Sequence, residues 1–270
     1  MSHNEKTVVD NYSNTSFEEN RAASSRANSM EFHYTKKALS GFINKDTSVL
    51  EIGCGTGYYG MFFTDKCKNY TGIDLSPDNI KTFQDKINNS NLKNLYALVG
   101  DATNLTSLCD KSYDVVLVLG PMYHLDSRER EKVFDESRRI CKDNGIIAYA
   151  YINKIGVYIK GCLMAPEKYP NKEVNNNVLI KGIDDIRPDL FFFTMPEEME
   201  EMANKHHLTV IKNMGVDFVF NDNLINNMND EQLEAWMEIS DIMYSSSSCT
   251  GVSNHALLIC RNSIEFNNQT

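Results

Sequence analysis

Basic residues are in short supply in this 270-residue chain. Lys and Arg number 27 against 37 Asp and Glu, a formal net charge of −10. A nucleic-acid face needs clustered cations to neutralise phosphates, and here the cations are scattered as well as outnumbered. A nucleic-acid substrate is therefore not expected. A neutral, amphipathic or basic small molecule, or a peptide, suits the charge better. Long apolar runs are missing too. None reaches the roughly 18 residues that would mark a membrane-spanning helix, so no membrane association is expected. The opening stretch, MSHNEKTVVDNYSNTSFEEN, is polar and mixed in charge, unlike a signal peptide, and a cytoplasmic location is the expectation. The seven cysteines include no C-x-x-C pair. Cys109, Cys141, Cys162 and Cys260 sit in apolar settings and read as buried reduced thiols. His3, His33, His124, His206, His207 and His255 show no metal-ligand spacing with one another or with cysteine, so no metal is expected.

What is present is concentrated at residues 49–57, VLEIGCGTG. An apolar run that reads as a buried parallel strand breaks into alternate glycines, Gly53, Gly55 and Gly57. The next segment, Tyr58-Tyr59-Gly60-Met61-Phe62-Phe63, can open a helix. A strand passing through a glycine turn into a helix brings bare backbone N–H groups close to a ligand. A second apolar segment, Tyr70-Thr71-Gly72-Ile73, ends in Asp74. An acid at that strand tip can accept hydrogen bonds from both ribose hydroxyls of a nucleoside.

Spacing narrows the cofactor. A dinucleotide turn spaces its glycines G-x-G-x-x-G; here the third glycine comes one residue early and Tyr58 holds the dinucleotide position. A phosphate-binding P-loop is excluded because no Gly-Lys-Ser or Gly-Lys-Thr follows. The E-x-G-x-G-x-G stretch resembles motif I of class I S-adenosylmethionine-dependent methyltransferases. The resemblance implies that the loop packs on the methionine moiety of S-adenosylmethionine, with Glu51, Gly53, Cys54, Gly55 and Gly57 in the cofactor site. It also implies that Asp74 accepts the ribose hydroxyls and Asp101 the adenine amine, with Leu75, Ala102 and Leu119 in the same cofactor site. Read alone, Asp101 is equally a helix N-cap before Ala-Thr-Asn-Leu, and Cys54 is more simply a small residue than a nucleophile.

Around this stretch the chain alternates. A helical pattern covers residues 21–43. Strands are expected at about 48–52, 69–73, 94–99, 113–119 and 145–152. Helices are expected at about 57–66, from Ser76-Pro77 to Asn88, and at 127–141, with Asp143-Asn144-Gly145 as a stop signal. Residues 153–193 carry scattered Gly and Pro and read as an inserted cap ending in Phe191-Phe192-Phe193, either an apolar anchor or the wall of an aromatic pocket. Pro196 to Lys205 and Asp230 to Tyr244 are helical. Leu208 to Phe220 contains a sixth strand, and His255 to Cys260 is a last strand pairing with it antiparallel. The fold expected is α/β: a Rossmann-like, doubly wound, seven-stranded and mostly parallel sheet with an antiparallel last strand and a helical cap insertion after strand five. Four parts follow: an N-terminal helical lid (1–45), a cofactor-binding core (46–152), the cap (153–193) and the C-terminal part of the sheet (194–270).

The resemblance extends over roughly residues 20–262 to a subgroup of bacterial small-molecule methyltransferases with a Gly-Pro-x-Tyr-His-Leu loop, here Gly120 to Leu125, and a Gly-x-Ser-x-His segment, here Gly251 to His255. Asp143-Asn144-Gly145 replaces a common Lys-Pro-Gly-Gly, and Asn11-Tyr12 replaces a frequent Tyr-Asp pair. The activity implied is methyl transfer to a small-molecule or peptide acceptor, N- or O-methylation first. An RNA or protein methyltransferase and a non-catalytic cofactor-binding regulator are the alternatives. An acceptor of high pKa needs a base, and His124 titrates in the right range, with Tyr123 orienting the acceptor. The competing readings are a pocket wall for Tyr123 and, for His124, a helix cap or structural hydrogen bond. Gly120 stands where amino-group methyltransferases of the Asn/Asp-Pro-Pro-Tyr type place an amine-binding Asn or Asp, so a planar amine is not supported. His255 is expected in a structural hydrogen bond.

Overall fold

A computed structural model describes residues 3–12 and 15–263. Two short helices, α1 (His3–Asn11) and α2 (Thr15–Asn20), lead through a 3-10 turn at Arg21–Ala23 into α3 (Arg26–Leu39). The long helix expected from residue 21 begins only at Arg26, because Ser25 is extended and its side chain accepts the Asn28 N–H as an N-cap.

The sheet then builds by β-α-β repetition: β1 (Ser48–Ile52), α4 (Tyr58–Phe63), β2 (Asn69–Asp74), α5 (Pro77–Asn88), β3 (Leu95–Val99), β4 (Tyr113–Val118), α6 (Ser127–Ile140) and β5 (Cys141–Ile152). Ser76 caps α5 with Pro77 in its first turn, as the sequence indicated. The α6 start is a capping box, in which Asp126 accepts from Glu129 N while the Glu129 side chain accepts from Asp126 N. Its end differs from expectation. The helix stops at Ile140, and Asp143-Asn144-Gly145 lies inside β5 as a bulge, where the register on β4 jumps from Tyr113↔Cys141 to Val115↔Ile146 and Asn144 takes φ 61°. The Asn-Gly signal was real but marks a kink within a strand.

After β5 come α7 (Lys154–Met164), α8 (Lys172–Val174) continued by a π-turn at Asn175–Lys181, α9 (Pro196–Lys205), β6 (Thr209–Gly215), α10 (Asp222–Asn226), α11 (Asp230–Ser245) and β7 (His255–Arg261). The strand order is β3-β2-β1-β4-β5-β7-β6. All neighbours pair in parallel up to β5, and β7 runs antiparallel between β5 and β6. Alternate residues of β4 feed opposite cores: Val115 and Leu117 pack with α3, α4 and α5, whereas Val116 and Val118 pack with α6 and α9. Burial on both faces explains why this strand is apolar throughout. The strand order reverses between β1 and β4, and a crevice outside the carboxyl ends of the strands is expected at that point.

The cysteines are all free. Cys54, Cys67, Cys141 and Cys260 are buried, but Cys109 is exposed and Cys162 half-buried, so the expectation fails for those two. Among the described residues no helix is long and apolar enough to cross a membrane, and no cluster of His, Cys, Asp and Glu could hold a metal ion.

Candidate functional site

The glycine turn after β1 is held by the tip of β2. Gly53 N and Cys54 N both donate to Ile73 O (2.7 and 3.0 Å), and Gly55 N donates to Asp74 Oδ2 (2.8 Å). Gly53, Gly55 and Gly57 all have positive φ. At Gly57 a Cβ would also fall 2.2 Å from the Phe83 ring, and at Gly53 one would fall 2.5 Å from Pro121 Cδ. Only glycine lets the turn approach the loop after β4 this closely.

Asp74 accepts three N–H groups, from Gly55, from Ser76 N (2.9 Å, on Oδ1) and from Asn79 Nδ2 (3.2 Å, on Oδ1). Burial raises its pKa against the pull of those donors. Beside it, Asn79 Oδ1 has no hydrogen-bond partner. A carboxylate flanked by a spare amide oxygen fits a pair of donor hydroxyls. Deeper in, Glu51 is buried and accepts the Tyr70 hydroxyl (2.7 Å). Burial pushes its carboxyl up to about 8, with the Asp74 charge adding to the shift. At the end of β3, Asp101 opens no helix. It folds an Asx turn in which Oδ1 accepts Thr103 N (2.8 Å), so the N-cap reading is corrected.

The loop after β4 makes a 3-10 turn at Pro121–Tyr123, with Tyr123 and His124 buried. His124 does not cap α6, since Asp126 does. Its Nδ1 lies 2.8 Å from the Leu190 carbonyl oxygen and its Nε2 lies 2.9 Å from the Tyr12 hydroxyl. A carbonyl only accepts, so Nδ1 carries the proton and Nε2 accepts from Tyr12. Burial lowers the ring's pKa to about 4, so it is neutral at pH 7. Phe192 N donates to Tyr123 O (2.9 Å). The segment after the π-turn thus clamps this loop through Leu190 and Phe192, while Phe193 is buried in a small core with Tyr123 and Ile152.

One continuous cavity at the strand ends brings together Glu51, Gly53, Cys54, Gly55, Asp74, Leu75, Asp101, Ala102, Leu119, Tyr123 and His124. Gly57 is absent from its wall because it packs on Phe83. The cavity has a further wall: Tyr12, which the resemblance left open as a lid, and, missed by sequence reading, Val8 and Val9 of the lead, Arg21, Glu31 and Phe32, and Tyr58 and Tyr59 after the glycine turn. Arg130 was also missed. It is buried and ties the loop to the cap end, donating from Nε to Met122 O (2.8 Å) and from Nη1 to Thr194 Oγ1 (2.7 Å). Only amphipathic spacing marks these residues in the sequence, and it does not say which face meets a ligand.

Residues 49–145 match the methyltransferase-domain family model. The chain is 33% identical over 115 residues to thiol S-methyltransferase TMT1B of Rattus norvegicus, covering 42% of this chain and 45% of that protein. It is 26% identical over 180 residues to a ubiquinone biosynthesis O-methyltransferase of Pelagibacter ubique, covering 66% and 68%. The matched stretch therefore spans about half the length of the first relative and two thirds of the second. The fold superposes with TM-score 0.64 and 18% identity on a chain solved in the complex between the Haloferax volcanii Trm112 methyltransferase activator and a methyltransferase, covering 96% of this chain and 99% of that one. Residues 49–145 thus form a methyltransferase domain.

Proposed function

We propose that the protein transfers the methyl group of S-adenosylmethionine to a small-molecule or peptide acceptor. The observation that carries this is the union, in one cavity, of the acids and glycines at the ends of β1, β2 and β3 with the buried Tyr123-His124 loop and the Tyr12 hydroxyl. In this reading Asp74 and Asn79 take the ribose hydroxyls, with Leu75 beside them, and Asp101 and Ala102 take the adenine. The turn at Gly53, Cys54 and Gly55, with Glu51 beneath it and Leu119 opposite, takes the methionyl end.

Bound there, the cofactor supplies a methyl already activated by its sulfonium. The chain's own residues align the acceptor, exclude water and remove a proton. Tyr123 walls the acceptor side. His124 is the proton acceptor: it is neutral at pH 7, Leu190 fixes its proton on Nδ1, and its Nε2 takes the acceptor's proton once the Tyr12 hydroxyl gives way to the acceptor. Helix α1, with Tyr12 directly after it, is the lid.

The relatives compared are named for oxygen and sulfur acceptors, which favours O- over N-methylation among the expected chemistries and adds a thiol as a candidate. The acidic balance of the chain supports a small or peptidic acceptor over RNA.

Calorimetric titration with S-adenosylhomocysteine, with NAD as control, tests the reading on wild type and Asp74→Ala. Saturable binding without an NAD signal, lost in the variant, is expected. A folded wild-type protein that binds neither would overturn it. An acceptor panel of phenols, thiols, carboxylic acids and amines then assigns the atom.

A further inference from the structure

A second concave surface lies between α10 and α11 and shares no residue with the cavity at the strand ends. Leu224 and Met228 line one side of this groove, and Trp236 and Ile239 of α11 line the other. The pattern of α11 explains it. Leu233, Met237, Ser240 and Tyr244 turn to the core. Ala235, Ile239 and Ile242 recur at i, i+4 and i+7 on the outward face. Leu224, Ile239 and Ile242 are left 53%, 49% and 70% exposed, so apolar surface runs from the groove along the helix.

The charge around this surface has one sign. Residues 222–245 hold six acids, Asp222, Asp230, Glu231, Glu234, Glu238 and Asp241, and no Lys, Arg or His. Three of these acids are used internally: Asp222 pairs with Lys160, Asp230 with Arg26 and Asp241 with Lys37. Those pairs fasten α10 and α11 to α7 and α3. Glu231, Glu234 and Glu238 are exposed, and none pairs with a cation among the described residues. Their i, i+3, i+7 spacing sets them in a second stripe against the apolar one. Within the groove the indole N–H of Trp236, which can only donate, meets no acceptor among the described residues.

We propose that this surface docks a basic amphipathic helix of a partner polypeptide, its apolar side seated on Leu224, Trp236, Ile239 and Ile242 and its cations on the glutamate stripe. A helix laid in a groove buries its apolar face there, and cations facing Glu231, Glu234 and Glu238 speed the encounter and fix its direction. The same chemistry disfavours other occupants. A second copy of the chain brings the same acids and no cation to meet them, and an anionic lipid surface repels the glutamates. A partner held here sits one helix from the cavity: Asn226 Oδ1 of α10 accepts Ala27 N of α3 (3.0 Å), and α3 carries Glu31 and Phe32 to the cavity wall.

Trp236 is the single tryptophan of the chain, so its fluorescence reports the groove directly. The probe is a synthetic peptide of leucine and lysine in helical spacing, about four turns long and without aromatic residues. An isomer of scrambled order has the same charge and no apolar stripe. Saturable one-to-one binding with a shift in Trp236 emission is expected for the helical peptide, and the scrambled isomer should bind roughly 10-fold more weakly or worse. Ile239→Ser/Ile242→Ser should weaken the helical peptide roughly 10–100-fold. Glu231→Gln/Glu234→Gln/Glu238→Gln should weaken it roughly 10-fold, a loss that shrinks at high salt. Glu197→Gln/Glu201→Gln, on the exposed face of α9, should change nothing. No binding, equal binding of the scrambled isomer or an equal loss in the α9 variant overturns the proposal. A wild-type dimer that Ile239→Ser/Ile242→Ser dissolves in sedimentation would give the surface to a second copy. Binding to phosphatidylglycerol vesicles that the same variant abolishes would give it to a membrane. Either result overturns the proposal as well.

Discussion

Tyr12 and His124 meet across more than a hundred residues of sequence, with the Tyr12 hydroxyl 2.9 Å from Nε2 of a ring whose Nδ1 is committed to the Leu190 carbonyl. The contact joins the segment after α1 to the loop after β4, and the Leu190 bond joins the same ring to the segment before α9. His124 is therefore shared by three segments of the chain: burial keeps the ring neutral, and the Leu190 carbonyl and the Tyr12 hydroxyl fix its tautomer.

If His124 accepts the acceptor's proton, His124→Ala should lower turnover by roughly 10²–10⁴-fold while the affinity for S-adenosylhomocysteine changes little. Calorimetry and steady-state kinetics on the same preparation separate the two effects. A rate within a few-fold of wild type would leave the ring a structural role alone. Tyr12→Phe should act mainly through the lid, speeding dissociation of S-adenosylhomocysteine as read by stopped-flow mixing.

Glu51 has the clearest pH signature. Its folded carboxyl is pushed up to about 8 from an ordinary value of 4.5, so the folded state keeps a proton that the unfolded chain gives up. The associated stability is fully present below the unfolded value and is lost as pH rises through about 8. Melting temperatures from pH 5 to 8 should therefore decline less steeply in Glu51→Gln than in wild type. Parallel curves would show that the carboxyl is ionised throughout.

Gly57→Ala should be severe although Gly57 is not on the cavity wall. The new Cβ meets the Phe83 ring at 2.2 Å on a backbone with φ 87°. Left-handed strain of about 1–2 kcal/mol and overpacking of about 1–3 kcal/mol add up to a melting temperature lower by several degrees. Pairing it with Phe83→Ala should recover part of the overpacking cost, a coupling that a double-mutant cycle measures.

Arg130→Leu removes two hydrogen bonds from a buried guanidinium, to Met122 O and Thr194 Oγ1. Charged hydrogen bonds of this kind contribute about 1.5–3 kcal/mol each at most. Thermal denaturation should show a clear loss, and proteolysis should cut the loop at residues 120–125 sooner than in wild type.

The elements of the sheet were legible because their signals are local. Buried parallel strands are apolar throughout, glycine turns need positive φ, and Ser76 and Pro77 start a helix through their own backbone chemistry. Where a local signal admitted two outcomes, tertiary pairing chose: Asn144 bulges a strand rather than ending a helix because β4 pairs on both sides of the bulge. Asp101 folds a turn rather than a cap for want of a helix after it.

By itself the sequence determined the parallel core, the glycine turn and the acids at the strand tips, since each depends on residues close together along the chain. Only the tertiary structure decided the rest of the cavity: Tyr12 on His124, Leu190 behind it, and Arg21, Glu31, Asp217 and His255 in one line of charge. Those partners come from distant segments, and nothing in the spacing of a charged or aromatic residue says which distant group will neutralise it. That choice is made when the helices close over the sheet and each buried charge must find its opposite.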